Sequence, residues 1–432
     1  MTTLINKKRL FNTSCLALVV TAFTFAIRAN LLDVFAAEFS LSQQEVGEIA
    51  AAAFWGFTLA MFIGGPICDF IGMGRMFLLA FIFHITGLVL TIFAGGYWSL
   101  FLSTLLVGLG NGFVESASYA MVSSMYTSEK TKMINKWHIW FPAGIAIGGV
   151  LSYLMSIGGA GWRWQIASMV LPTIAYGVLF IGQSFPKSER VSLGVTNRQM
   201  IRECFRPLFL IMVGCMFLTG ATELCTNQWI VALLSSLGVP SILLLVFING
   251  IMTLGRANAG FILKRISTTG LLLASAILAC LGLLGLGLAD NIMAFVAAFV
   301  FATGICFFWP TMIGFVSEQL PKTGPLGLSI MGGAGLMSTA LMMPRFGAEY
   351  DKHLSRLLPE GYQLDQLKNA TVPGEAATIW EQVKLAAGAD TLLQAAILPA
   401  ILIVAFTGIH LYIVRVEKQK KVMMAAQTPA AI

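Results

Sequence analysis

The sequence predicts an all-α membrane protein with twelve transmembrane helices in two six-helix bundles. Composition, apolar segmentation and the placement of basic residues carry that prediction. Of 432 residues, 57% are hydrophobic and only 11% are charged, with a mean hydropathy of +0.82. Soluble domains carry about 25% charged residues. A chain with so few cannot coat a globule of this size, and a soluble enzyme is excluded. Divided at about 20 residues per crossing plus short loops, the length holds roughly a dozen spans.

The spans fall in chain order at about 10–36, 45–67, 75–95, 98–124, 135–157 and 164–184. A second set follows at about 207–234, 241–263, 270–289, 292–317, 326–346 and 390–414. Each run is apolar enough to cross about 30 Å of hydrocarbon. The first begins like a signal peptide, with Lys7, Lys8 and Arg9 ahead of the apolar stretch. It is too long for that role, and a second span follows at once, so it reads as a retained first helix. Between the sixth and seventh spans lies a polar, basic segment, Phe185 to Arg206. It divides the chain into an amino-terminal bundle (1–184), a linker (185–206), a carboxy-terminal bundle (207–414) and a tail (415–432).

With twelve crossings and a cytoplasmic amino terminus, most of the 27 basic residues fall on one side. Lys7, Lys8, Arg9, Arg75, Lys130, Lys132, Lys136, the linker arginines, Arg256, Lys264, Arg265, Lys322 and the tail lysines all lie there. This is the positive-inside pattern, with both termini cytoplasmic and the bacterial inner membrane as the expected location. The net charge of +7 is therefore a topology signal, and nucleic acid is set aside as a partner. The seven cysteines show no metal-ligand spacing and read as small apolar fillers. No metal or cofactor is expected.

An internal echo supports two halves. The second span ends Gly65-Pro-Ile-Cys-Asp69-Phe-Ile-Gly72-Met-Gly-Arg75, and the eighth ends Gly255-Arg256 before Lys264-Arg265. Both place glycine before a short charged turn, which assigns Gly65, Asp69, Gly72, Arg75 and Arg256 to gating turns. Gly144, Gly148 and Gly149 in the fifth span and Gly332, Gly333 and Gly335 in the eleventh suggest a close-packed seam. Gly347 to Asp390 breaks the economy of short loops. It reads as a solvated external cap with a short amphipathic helix over 376–387.

A charge at the bilayer centre costs at least about 2.5–3.5 kcal/mol on insertion scales, so an ionisable group inside a span is a functional candidate. Glu115, in Gly110-Asn111-Gly112-Phe113-Val114-Glu115, is the sharpest, with no basic residue within a turn. A carboxyl withdrawn from water there is suited to carrying a proton or accepting hydrogen bonds from a polyol. Asn30 and Asp33 share a face of the first helix, and Asp33 reads equally as an interfacial carboxylate. Arg28 lies about 140° around the helix from Asp33, and either pairs with a carboxylate elsewhere or meets an anionic substrate. Glu223-Leu-Cys-Thr226-Asn227-Gln228-Trp229 offers an aromatic face beside amide and carboxyl groups, equipment for a sugar ring. Asn111, Asn135 and His138 are further polar candidates, with Trp137, Trp140 and Phe141 serving equally as interface anchors. His84 reads as a satisfied core histidine.

These motifs resemble the major facilitator superfamily. The Gly65…Asp69…Gly72 turn is similar to its signature loop, although Met73 and Gly74 precede Arg75. Within it, Asn30-Leu-Leu-Asp33, Gly112-Phe-Val-Glu115-Ser-Ala and Asn135 with the residue three later resemble the proton-coupled fucose/glucose/galactose permease type. That resemblance implies that Asp33 and Glu115 are proton-coupling, sugar-contact carboxylates. It also marks departures: Tyr119-Ala120 stands in place of Asn-Pro, His138 in place of Gln, and Phe141 in place of Asn.

The expected function is therefore proton-coupled secondary transport of a small polar solute, a sugar or related polyol, by alternating access in a monomer. No phosphate-binding Gly-rich loop ending in Lys-Ser/Thr is present, so an ion gradient rather than ATP is expected to drive it. The rival keeps the fold but carries a charged metabolite, with Arg28 as the anion site. A membrane sensor would need a larger cytoplasmic domain than the short tail supplies.

Overall fold

In hydrocarbon every backbone N–H and C=O must be satisfied within the protein, which for a single segment means a helix. The computed structural model describes residues 5–41, 43–192, 194–226, 241–288, 292–359, 362 and 375–427, and among them the ordered elements are helical throughout. Among the described residues ten helices are long and apolar enough to cross a membrane, and Leu245–Ala257 is a shorter apolar one. The first four spans are Lys7–Glu38, Gln43–Ile71, Met73–Ile92 and Tyr97–Met125. The fifth is Lys130–His138 followed by Trp140–Ile157, and the sixth is Trp162–Ala167 followed by Val170–Phe180. Gly72 joins spans two and three at φ +83°, a left-handed conformation open to glycine. The linker carries two short helices, Glu189–Ser192 and Asn197–Glu203.

The second half opens with Pro207–Gly220, which passes into a π turn at Ala221–Cys225. Ser241–Ala257, Thr268–Leu288, the pair Ile292–Ile305 and Phe308–Gln319, and Gly324–Leu357 follow. Glu375–Ala395 and Ile397–Gln427 complete the chain. Lys7 Nζ donates to the Met125 carbonyl at 3.0 Å, and His410 Nδ1 pairs with Thr269 Oγ1 at 2.7 Å. The first span therefore starts beside the end of the fourth, and the last span passes the start of Thr268–Leu288, at what is here the terminal end of the bundle.

Exposure is inverted relative to a soluble protein. Phe93, Leu171 and Val404 are about three-quarters or more exposed (80%, 76% and 76%), whereas Arg28, Glu115, Glu223 and Arg256 are buried. Apolar side chains outside and ionisable ones inside suit a lipid solvent.

At the terminal end the halves are tied together. Lys130 Nζ donates to the Ser317 carbonyl at 3.0 Å, the Thr131 N–H to Glu318 Oε1 at 2.9 Å, and Ser116 and Ser329 share a 2.7 Å bond. Gly65 lies against Pro325, Leu326 and Ser329, Gly332 against Met61, and Gly333 against Phe62. Gly332 and Gly333 thus line the seam, as expected, whereas Gly335 packs on Trp309 and Met216 within the second half. The fifth span also packs across the seam, on Ser241–Ala257, although Gly144 sits on Val19 and Ala22 and Gly148 on Phe23 and Ala26, within the first half.

The external cap carries the helix expected over 376–387 and is helical beyond it. The eleventh helix continues to Leu357 and the next described one begins at Glu375, so the described part of the loop is mostly helical. Leu354, Val383 and Ala387 form a small core packed by Tyr350, Leu357, Ile379 and Trp380. Apolar residues at three- and four-residue spacing on both helices bury one stripe each. Arg356 adds a 3.0 Å ion pair to Asp390.

Candidate functional site

Halfway along the seam the two halves enclose a cavity of about 20 Å³, room for about one water molecule. Phe25, Phe57, Glu115, His138 and Phe141 line it from the first half. Glu223, Leu224, Arg256, Trp309 and Leu336 line it from the second. Apolar rings and aliphatic chains cover one part of the wall, and ionisable groups converge on the other.

Two prolines explain how the polar part is assembled. Proline has no N–H, so in a helix the carbonyl four residues earlier loses its partner. Pro142 frees the His138 carbonyl and Pro310 frees the Cys306 carbonyl, at the points where the fifth and tenth spans break. Both carbonyls are taken by one side chain. Arg256 Nη1 donates to His138 O at 3.2 Å and Nε to Cys306 O at 2.7 Å. Its Nη2 makes a 3.0 Å ion pair with Glu223 Oε1, with the two side chains 0% and 4% exposed. Glu223 sits in the π turn, an irregularity frequent at functional sites. One guanidinium thus ties both halves together.

A second network meets it across the cavity. Tyr119 Oη donates to Glu115 Oε2 at 2.8 Å, lies 2.9 Å from His138 Nε2 and accepts from Trp309 Nε1 at 2.7 Å. Some buried polar atoms here have no protein partner: Glu223 Oε2, His138 Nδ1 and, one turn from Glu223, Thr226 Oγ1. Buried polar groups are normally paired, so unpartnered ones beside a cavity mark where water or a ligand belongs.

Of the residues singled out in the sequence, Glu115, His138 and Glu223 meet at this cavity. Arg256 needs correction. Its nearness in sequence to Lys264 and Arg265 suggested a solvated gating turn, but it is 1% exposed and forms the core of the site. Tyr119, marked in the sequence only as a departure from the permease pattern, stands one helical turn after Glu115 and so on the same face. Pro142 and Pro310 inside apolar runs were the available signal for the freed carbonyls.

Other candidates lie elsewhere. Asn111 Oδ1 meets His84 Nε2 at 2.8 Å and its Nδ2 donates to Thr24 Oγ1 at 3.0 Å, so it serves packing within the first half. Asn30 Nδ2 donates to Ser152 Oγ at 2.8 Å, holding the first span to the fifth. Asn135 bridges the halves beside the cavity, donating to the Thr131 carbonyl at 2.9 Å and to Thr311 Oγ1 at 3.3 Å. Arg28 is buried over the Phe25 ring, 5.4 Å from its centre, with no ion-pair partner among the described side chains. Asp69 accepts from Ser188 of the linker at 2.5 Å, Gly65 and Gly72 shape the end of the second span, and Arg75 is exposed. The Asp33 side chain and Asn227, Gln228 and Trp229 lie outside the described residues.

Comparison with known proteins agrees with this architecture. A D-xylose transporter of Levilactobacillus brevis is 23% identical over 146 residues, 34% of this chain and 31% of the relative. An uncharacterized MFS-type transporter of Bacillus subtilis is 24% identical over 269 residues, 60% of this chain and 67% of the relative. The alignments thus span about one to two thirds of these relatives' lengths. Among solved structures, the proton:xylose symporter XylE overlays with a TM-score of 0.68 at 15% identity, covering 88% of this chain and 94% of that one. The transporter FucP, in an outward conformation, gives 0.66 at 14% identity, covering 91% and 98%. At these identities the overlays establish the shared fold. Residues 14–345 match the family described as Major Facilitator Superfamily, and on that match the chain belongs to the major facilitator superfamily and is a membrane transporter rather than an enzyme.

Proposed function

We propose that this chain is a proton-coupled secondary transporter of a small polar solute, a sugar or related polyol, and works by alternating access. The observation that carries this reading is the cavity between the halves, walled by rings and bordered by unpartnered acceptors. A hydroxyl can donate to Glu223 Oε2 or His138 Nδ1, while Phe25, Phe57, Phe141 or Trp309 offers an apolar surface to the carbon skeleton of a ring. Arg256 is already engaged by a carboxylate and two carbonyls, which makes a neutral hydroxylated solute a better fit than an anion.

The placement of these groups supports alternating access. The six-span units, 1–184 and 207–414, rock about the seam, with the linker 185–206 allowing the movement. The contacts of Lys130, Thr131 and Gly65 at the terminal end part when the cavity opens there. That end is cytoplasmic by its basic loops, in a bacterial inner membrane, and the transporter acts as a monomer. Glu115 carries the proton, with Asp33 a further candidate. The named substrates of relatives, D-xylose for two and glucose for a Staphylococcus epidermidis transporter, support a sugar as the first class to test.

In proteoliposomes the wild type should accumulate a labelled sugar, with D-xylose, D-glucose and fucose tried in turn, when an inward proton gradient is imposed. Glu115→Gln should lose accumulation and keep sugar exchange. Uphill accumulation by that variant would remove Glu115 from the coupling role. Buried Arg28, with no carboxylate partner among the described side chains, favours a second reading, transport of an organic anion. Arg28→Ala should then abolish anion binding, whereas sugar binding should be unchanged.

A further inference from the structure

We propose that the protonation state of Glu115 sets, through Tyr119, which ring nitrogen of His138 carries hydrogen, and thereby reverses the hydrogen-bonding role that His138 Nδ1 presents to the cavity. This deepens the proton-coupled reading above and rests on it for its functional meaning.

The inference comes from counting hydrogens on one oxygen. A tyrosine hydroxyl has one hydrogen and two acceptor sites. Three groups lie within hydrogen-bond distance of Tyr119 Oη: Trp309 Nε1 at 2.7 Å, Glu115 Oε2 at 2.8 Å and His138 Nε2 at 2.9 Å. The indole N–H can only donate, so it permanently occupies one acceptor site. One hydrogen and one acceptor site remain for Glu115 and His138, which must therefore play opposite roles.

When Glu115 is ionised it can only accept, so Tyr119 gives it the hydrogen. His138 must then donate through Nε2–H. Its Nδ1 is left bare, an acceptor with no protein partner, on a residue lining the cavity. When Oε2 is protonated the arrangement inverts. Glu115 donates to Tyr119, Tyr119 donates to His138 Nε2, and the ring hydrogen resides on Nδ1.

The two states differ by one proton, and the change balances without any other reactant. A proton from the cavity bonds to Nδ1 as the Nε2 proton passes to Tyr119 Oη and the Tyr119 proton passes to Glu115 Oε2. One N–H and one O–H bond break, and one N–H and two O–H bonds form. The phenol and imidazole end neutral, and the carboxylate ends as the acid. The remaining ionisable groups at the cavity, Glu223 and Arg256, are paired with each other. Spans one, two and eleven contribute only Phe25, Phe57 and Leu336, so among the described residues no other titratable group at the cavity competes for the ring. A solute therefore meets an acceptor at His138 when Glu115 is ionised and a donor when it is protonated, which links proton binding to solute binding.

The test reads the ring directly. The chain has 4 histidines, so protein labelled with ¹⁵N-histidine in nanodiscs gives few signals, and loss in His138→Gln identifies the relevant pair. From alkaline to acid pH the wild type should exchange completely from the Nε2–H to the Nδ1–H neutral tautomer. Glu115→Gln and Tyr119→Phe should each hold one pattern throughout. A His138 that keeps one tautomer in the wild type, becomes imidazolium, or still exchanges in Glu115→Gln overturns the proposal. The isosteric Glu115→Gln keeps the test decisive if Tyr119→Phe does not fold. Vesicles in which no sugar is accumulated would overturn the transport reading instead, and the tautomer result would still stand or fall separately.

Discussion

Two buried histidines of the first half sit in hydrogen-bond networks of opposite character. His84 Nδ1 pairs with Tyr176 Oη at 2.9 Å and Nε2 with Asn111 Oδ1 at 2.8 Å, and the chain runs on through Thr24 to the Thr21 carbonyl. Both ring nitrogens are used, and the network stays within spans one, three, four and six. The His138 network crosses the seam to Trp309, receives Arg256 on its carbonyl and leaves Nδ1 unpartnered. A closed network holds one half together as a rigid body. An open one between halves leaves capacity for a proton and a solute.

Three single substitutions, one of them with a compensating second change, should sharpen that contrast. The largest effect is expected from Arg256→Met, which strands Glu223 as a buried charge and orphans two carbonyls. Breaking a buried pair in this way costs about 3–5 kcal/mol, visible as a large fall in thermal midpoint in detergent. Adding Glu223→Leu removes the stranded charge but leaves the two carbonyls unpaired, and should recover part of that stability without restoring transport. Next comes His84→Phe, which leaves Tyr176 and Asn111 without their partner at about 1–3 kcal/mol for an unsatisfied buried group. Its thermal midpoint should fall, while the pH profile of sugar uptake in vesicles keeps its wild-type shape. A shifted profile would mean that the closed network also takes part in coupling. The smallest effect is expected from Pro142→Ala. The restored N–H competes with Arg256 for the His138 carbonyl, and one hydrogen bond is worth about 0.5–1.5 kcal/mol net. Loosening the tie by that amount should speed sugar exchange by about two- to tenfold, measured as equilibrium exchange in vesicles.

The spans were legible in the sequence because hydropathy is a local property that survives without tertiary information. Glu115, Glu223 and His138 were legible for the same reason, since an ionisable residue in an apolar run has little other explanation. Arg256 was misread because its neighbours in sequence are solvated lysine and arginine, while its partners come from spans five, seven and ten. Tyr119 was marked in the sequence only as a departure from the permease pattern; its role arises from three groups converging on one oxygen from three spans. The helical cap was partly legible. Tyr350, Leu354 and Leu357 continue the eleventh span at helical spacing, but the surrounding charges masked the stripe as a loop.

The central claim is that a proton on Glu115 moves with the solute. Its most direct measurement is the pH inside proteoliposomes, followed with a trapped dye after adding sugar outside with no imposed gradient. Wild-type vesicles should acidify as sugar enters, and Glu115→Gln vesicles should take up sugar with no change of internal pH. Equal acidification by both proteins, or sugar entry into wild-type vesicles with no acidification, would contradict the account.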